Sequence, residues 1–362
     1  MRQVCVMLSL LATGSIATSA TFDVPPEGFD VVGAVSTVTA NFDDTLIDIA
    51  HRYGFGYDEI VRANPRVDVW VPGEGTEIVL PGRFLLPAGP RKGIVLNIAE
   101  YRLYYYPEPK KGEPAKVMTF PISIGRQDWE TPLGVTKVVQ KVVNPAWYPP
   151  QSVLDEHAAD GRPLPRVVPP GPDNPLGARA MRLGLPGYLI HGTNRPAGVG
   201  MRVTHGCLRM FPEDIEFLFE QVALNTRVRI INAPVKLGWE GDQLVMEVHP
   251  VLESGPVVTA DEPVHETGND GTLASVSAEG VTASDELQSE ELAAAGVAVG
   301  VLIKAPAKDP LTYVTEQFVA ATDTRPGELD WAEVEEVVLR ADGIPVAVGT
   351  GIKNAATSAA FD

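Results

Sequence analysis

His191, His205, Cys207 and Arg209 fall within one short stretch that also carries Gly192, Gly198, Gly200 and Gly206. The whole chain has six histidines and two cysteines, so this concentration of chemistry is local. A thiol with a pKa of about 8.5 is mostly protonated at neutral pH, and a nearby imidazole is the simplest base to activate it. His191 ends an apolar run, and the glycine-rich loop after it is long enough to fold Cys207 back beside it. On an extended Cys207-Leu208-Arg209 the outer two side chains share a face, which sets a guanidinium beside the thiol. His205 shares that face if the strand starts early enough. A guanidinium suits a substrate carboxylate. Gly206 leaves room for a substrate backbone, and the amides around Gly206-Cys207 could stabilise an oxyanion.

Two other readings of the same residues stay open. His191, His205 and Cys207 have the ligand types of a catalytic zinc site. Alternatively the histidines are structural and the glycines only shape a loop.

The elements that must position this stretch are mostly strands. Ile94–Ile98 and Tyr101–Tyr106 read as a hairpin, and Met118–Gly125, Gly134–Val142, Gly187–His191 and Arg227–Ile231 as further strands. A helix is predicted over Glu213–Gln221, with Pro212 at its start. Closely spaced strands with one late helix predict a β-rich sandwich or barrel-like unit. Residues 144–175 form a Pro-rich excursion too long for a simple connection.

Upstream, Ser36–Pro81 reads as strand, helix, helix, strand. The first helix starts near Asp43-Asp44-Thr45 and ends at Tyr53-Gly54; the second, Asp58–Ala63, is stopped by Asn64-Pro65. Downstream, Lys236–Val248 reads as a hairpin closed by Glu240-Gly241-Asp242. Residues 251–300 have no clear period and read as a loose acidic linker. Helix-spaced apolar residues return in Leu311–Ala321 and Trp331–Arg340.

At 362 residues, 44% of them hydrophobic, the chain predicts two or three packed domains. It has no apolar run of the length that spans a bilayer. Residues 1–20 have the layout of a secretory signal: Arg2, an apolar run from Val4 to Ala12, then small residues to Ala20. Removal of that leader takes away Cys5 and leaves Cys207 as the sole cysteine, which excludes a disulfide framework. The net charge is −18, and residues 251–362 hold 20 acidic and 5 basic side chains. The rest is nearly balanced, so no basic face for nucleic acid is expected.

The order of residues carries two family resemblances. Asp43-Asp44-Thr45-Leu46, Ile49-Ala50, Asn64-Pro65, Pro72-Gly73 and Ile78-Val79-Leu80-Pro81 resemble the LysM module, with Asp43 where that family often has glycine. The resemblance implies binding of N-acetylglucosamine-containing glycan such as peptidoglycan. His191-Gly192-Thr193, Gly198, Gly200, His205-Gly206-Cys207 and Arg209, with Thr131-Pro132-Leu133-Gly134 and Asn144-Pro145, resemble the L,D-transpeptidase (YkuD) signature of the ErfK-type periplasmic branch. Thr204 stands where that family usually has serine.

What the second resemblance implies is specific. The catalytic unit is a YkuD-type β-sandwich beside a small βααβ module and a mixed C-terminal region. Cys207 attacks the carbonyl between meso-diaminopimelate and D-alanine of a tetrapeptide stem, and an amine resolves the thioester. His191 is the general base, its second ring nitrogen oriented by the Gly192 carbonyl. His205, Gly206, Arg209 and Thr204 hold substrate. No metal or organic cofactor is required. The domains expected are a signal peptide (1–20), a LysM-like glycan-binding unit (36–82), the catalytic unit (92–233) and a C-terminal region with the acidic linker (234–350). The partners expected are peptidoglycan and, as an alternative amine donor, an outer-membrane lipoprotein. Rival readings are a hydrolase of the same fold and a non-catalytic glycan-binding scaffold.

Overall fold

Strands Gly93–Asn97 and Arg102–Tyr106 are apolar at nearly every position because both of their faces are covered. Ile94, Leu96, Leu103 and Tyr105 turn to one core, while the alternate residues Val95, Tyr104 and Tyr106 turn to another. A computed structural model describes residues 20–126, 131–252, 256–258, 302–304 and 308–352. The leader through residue 19 and most of the expected acidic linker lie outside the described residues. Among the described residues no helix is long and apolar enough to cross a membrane.

The second of those cores belongs to the N-terminal module. Strands Ser36–Thr39 and Glu77–Leu80 pair antiparallel and enclose α1 (Leu46–Tyr53) and α2 (Tyr57–Ala63). Thr45 and Asp48 form a reciprocal capping box on α1, and Gly54 ends it at φ 73°. The Asn64 side chain donates to Ile60 O and Val79 O and accepts from Val79 N, which ties α2 to the last strand. Leu46, Ile49, Ile60 and Ile78 then bury against Val95, Tyr104 and Val117 of the large sheet. The module, small for an independent domain, is packed on the large sheet through this shared core.

The central unit is mainly β. One sheet of 11 strands runs through the described residues. Strand Leu133–Val143 joins its halves: Gly134–Lys137 pair with strand Arg227–Ile231, and Val138–Val143 with strand Arg179–Leu183. A register shift between Val138 and Gln140 falls at the start of the second pairing. Ile94 and Leu96 from one half share a core with Met181, Ile190 and Leu208 from the other, so the halves face each other. The expected sandwich is thus one continuous sheet folded over on itself.

Helix α3 (Gln151–Ala159) lies inside the Pro-rich excursion and had not been expected. Helix α4 (Pro212–Gln221) buries Ile215, Leu218 and Phe219 in the shared core. The expected strand Met118–Gly125 is two strands, Lys116–Pro121 and Ile124–Gly125. The second of these leaves the large sheet and pairs in parallel with strand Arg202–Thr204.

The C-terminal hairpin, Val235–Glu240 with Gln243–Val248, has the register expected from its Gly241-Asp242 turn. Strands Val346–Gly351 and Gly327–Leu329 extend it. Helices α5 (Pro310–Thr322) and α6 (Trp331–Arg340) cover it through Val314, Val334 and Val337.

Candidate active site

Strand Leu189–His191 ends on the first site histidine, and strand Leu208–Arg209 runs parallel beside it. Ile190 stands opposite Leu208, and His191 opposite Arg209. Ile190 and Leu208 are fully buried, which pins the register and turns their neighbours to the other face. Cys207 directly precedes the second strand, and its thiol donates to Gly187 O at 3.4 Å. Thiol, imidazole and guanidinium thus collect at one edge of the fold.

His191 is 5% exposed, and its Nδ1–H donates to Gly192 O at 2.7 Å. That bond fixes the tautomer and leaves Nε2 as the basic nitrogen. Burial, with the Arg209 charge behind it, lowers His191 to about 3. Burial likewise pushes the half-buried Cys207 thiol up to about 11, against the pull of the Leu189 amide and Arg209. The resting pair is therefore neutral thiol and neutral imidazole. Burial lowers Arg209, and the neighbouring Arg195 guanidinium adds to the shift. The buried Nε of Arg209 has no hydrogen-bond partner.

The loop around the thiol is fixed by hydroxyls. Thr131 Oγ1 donates to Gly206 O at 3.0 Å, and Thr204 Oγ1 donates to Cys207 O at 2.6 Å. In a trans peptide the N–H points opposite its carbonyl, so holding Gly206 O toward Thr131 aims the Cys207 N–H the other way. Gly206 sits at φ 97°, a conformation that favours glycine. Thr204, expected among the substrate contacts, is 3% exposed and its hydroxyl is committed to Cys207 O. That hydroxyl holds the backbone of Cys207.

His205 does not lie on the Cys207 strand, because the chain turns at Gly206. It reaches Glu156 of α3 instead, with Nε2 at 3.0 Å from Oε2. Arg126 Nη2 donates to the same oxygen at 2.6 Å. Arg126 and His205 together lower Glu156 to about 2. Sequence reasoning missed Glu156 and Arg126. The available signal was nine residues free of Gly and Pro, Gln151–Ala159, directly after Pro150.

The zinc reading needs His191, His205 and Cys207 on one point. His191 Nδ1 is bonded to Gly192 O and His205 Nε2 to Glu156. Among the described residues the group whose ligand atoms do converge is Glu100, Glu247 and His249. Lys236 Nζ already sits there, 2.6 Å from Glu100 Oε2 and 2.7 Å from Glu247 Oε1.

A family model of the L,D-transpeptidase catalytic domain matches residues 91–230. The chain is 42% identical over 258 residues to the probable L,D-transpeptidase ErfK/SrfK of Escherichia coli strain K12, covering 70% of this chain and 82% of that one. It is 45% identical over 243 residues to the probable L,D-transpeptidase YcfS of the same strain, covering 65% and 74%. It is 43% identical over 244 residues to that strain's probable L,D-transpeptidase YbiS, covering 66% and 78%. With its thiol, imidazole and guanidinium gathered on the family's signature segment, the chain belongs to the L,D-transpeptidase family.

Proposed function

We propose that this protein transfers the acyl group of a peptidoglycan tetrapeptide stem through a thioester on Cys207. The observation that carries the reading is the His191 tautomer, with Nδ1–H on Gly192 O and Nε2 left basic at the edge that presents the thiol. His191 Nε2 takes the thiol proton as Sγ attacks the carbonyl between meso-diaminopimelate and D-alanine. The oxyanion faces the Cys207 N–H. Collapse breaks the C–N bond, His191 returns the proton to the amine, and D-alanine leaves. An acceptor amine then attacks the thioester, gives its proton to Nε2, and Sγ departs and is reprotonated. Arg209 holds a stem carboxylate, and His205 and Gly206 line the same site. No metal or organic cofactor enters this scheme.

Residues 92–233 form the catalytic domain in this reading, and residues 36–82 the LysM-like module that grips glycan. Phe42, Trp70 and Val71 stand 79, 67 and 72% exposed on the two loops that the Leu46 N to Val69 O bond holds together. They offer an apolar platform rather than a packed core. The leader over residues 1–20 directs the protein to the periplasm, where stem peptides and lipoprotein lysines supply amines. Residues 234–350 are a C-terminal region joined through the acidic stretch.

The test is incubation with tetrapeptide-containing muropeptides, with products read by mass spectrometry. Loss of D-alanine with dimer formation is expected. Tripeptide monomer alone would show water as acceptor. Equal product from Cys207→Ala would remove the cysteine from the mechanism.

A further inference from the structure

The turn between α1 and α2 touches the active-site loop backbone to backbone. Tyr57 N donates to Val199 O at 2.9 Å, and Asp58 N to Gly200 O at 3.2 Å. Gly56 and Gly200 meet with no side chain between them. A Cβ on Gly56 would lie 2.8 Å from Gly200 Cα, and one on Gly200 2.4 Å from Gly56 Cα. Val199 and Gly200 lie midway along the loop that leads from His191 to Cys207.

The same loop is gripped from the other side. Ser123 Oγ donates to Gly198 O at 2.7 Å, and Ile124 N to Met201 O at 3.2 Å. A Cβ on Gly198 would come 3.7 Å from Arg209 Nη1, so this part of the loop flanks the site guanidinium. Beyond Met201 the chain runs straight into Arg202–Thr204, whose last hydroxyl holds Cys207 O.

The N-terminal module also holds the residues just after the site. His51 of α1 stacks on Phe211 with ring centroids 4.3 Å apart, and its Nε2 lies 2.6 Å from Glu213 Oε1. Beneath these contacts, Glu59 of α2 takes both Nε and Nη2 of buried Arg102, at 2.6 and 2.7 Å. Glu59 Oε2 also accepts from Gly56 N at 2.7 Å. One carboxylate therefore ties the turn to the large sheet.

We infer that the N-terminal module is a working part of the transfer site: Gly56 and Gly200 are positioning residues that set the loop between His191 and Cys207. This rests on the acyl-transfer reading above. Its consequence is that residues 91–230, the stretch matched by the family's catalytic domain, lack one wall of their own active-site loop.

Gly56→Ala tests it. Gly56 has φ −81° and ψ 162°, which alanine adopts without strain, so the change acts as a wedge, 2.8 Å from Gly200 Cα and more loosely against Pro121 Cβ at 3.3 Å and Glu59 Oε2 at 3.4 Å. Relative to wild type, kcat for D-alanine release should fall about 10- to 100-fold with KM nearly unchanged. Tyr57→Pro is the second variant. Proline suits the first helical position, and Gly56 already has the extended conformation a residue before proline needs. It removes the donor to Val199 O and should lower kcat in the same way. Ile49→Val thins the same module's core away from the loop and should leave kcat within about twofold.

Folded Gly56→Ala and Tyr57→Pro proteins with wild-type kcat would overturn the inference. So would a kcat loss in Ile49→Val that follows its melting temperature as closely as theirs does. So would release of D-alanine at the wild-type rate by variants whose module has unfolded. Failure of the acyl-transfer reading looks different: the wild-type protein itself would release no D-alanine.

Discussion

His191 and Arg209 stand opposite each other on adjoining parallel strands, so the imidazole sits beside a fixed positive charge. That charge and burial hold the imidazole neutral, while burial holds the thiol near 11. In the acyl-transfer reading proposed above, a neutral thiol and a neutral imidazole make thiolate formation part of the attack rather than a step before it.

Alkylation of Cys207 by a neutral reagent therefore reports the resting state. A thiol raised to about 11 gains thiolate as pH rises, so the rate should climb about tenfold per unit from pH 6 to beyond 9. A rate that stays flat from pH 6 to 8 would mean a preformed thiolate–imidazolium pair, and the neutral-pair account would be wrong.

Glu156 binds α3 to the site through His205 and Arg126. Its folded value is depressed to about 2 from an ordinary value near ~4.3. The contribution of this latch is thus fully present above the ordinary carboxylate range and is lost as pH falls through about 2. Glu156→Gln removes the charge at every pH. Limited proteolysis should then cut within residues 144–175 several-fold faster, with the global melting temperature nearly unchanged. An unchanged cleavage rate would show that α3 is held by something else.

The chemistry of the site was legible because cysteine and histidine are rare in this chain and cluster at His191–Arg209. Most of the strands and the C-terminal hairpin were legible because alternation and the Gly241 turn are local signals, while the break within Met118–Gly125 was not. Helix α3 was hidden by flanking prolines, which made residues 144–175 look irregular throughout. Glu156 had no signal of its own, since His205 is 49 positions away. The docking of the N-terminal module was hidden for a related reason. An apolar strand such as Arg102–Tyr106 shows that both faces are covered, but not by what.

Lys236 joins three parts of the molecule at one buried point. Its Nζ donates to Leu85 O of the N-terminal region, to Glu100 of the catalytic unit and to Glu247 of the C-terminal hairpin. Burial opposes its charge, but the two carboxylates outweigh that and raise Lys236, keeping it protonated. Burial raises Glu100 and Glu247 in turn. Lys236→Met leaves two buried carboxylates without their cation, a loss of about 3–5 kcal/mol by analogy with other broken buried pairs. Denaturant unfolding measures it, and a change under about 1 kcal/mol would deny the cluster this role.

Thr204 offers the sharpest separation of hydroxyl from shape. Its Oγ1 donates to Cys207 O at 2.6 Å in a setting where Thr204 is 3% exposed. Thr204→Val keeps the volume and deletes the donor, leaving the Cys207 carbonyl unsatisfied at a cost of about 1–3 kcal/mol. Part of that cost falls on the geometry of Cys207, so kcat should drop about tenfold or more, at 1.36 kcal/mol for each factor of ten. Thr204→Ser keeps the donor and should stay within about threefold of wild type, since only a methyl is lost. Equal rates for the serine and valine variants would show that the hydroxyl does not position the thiol.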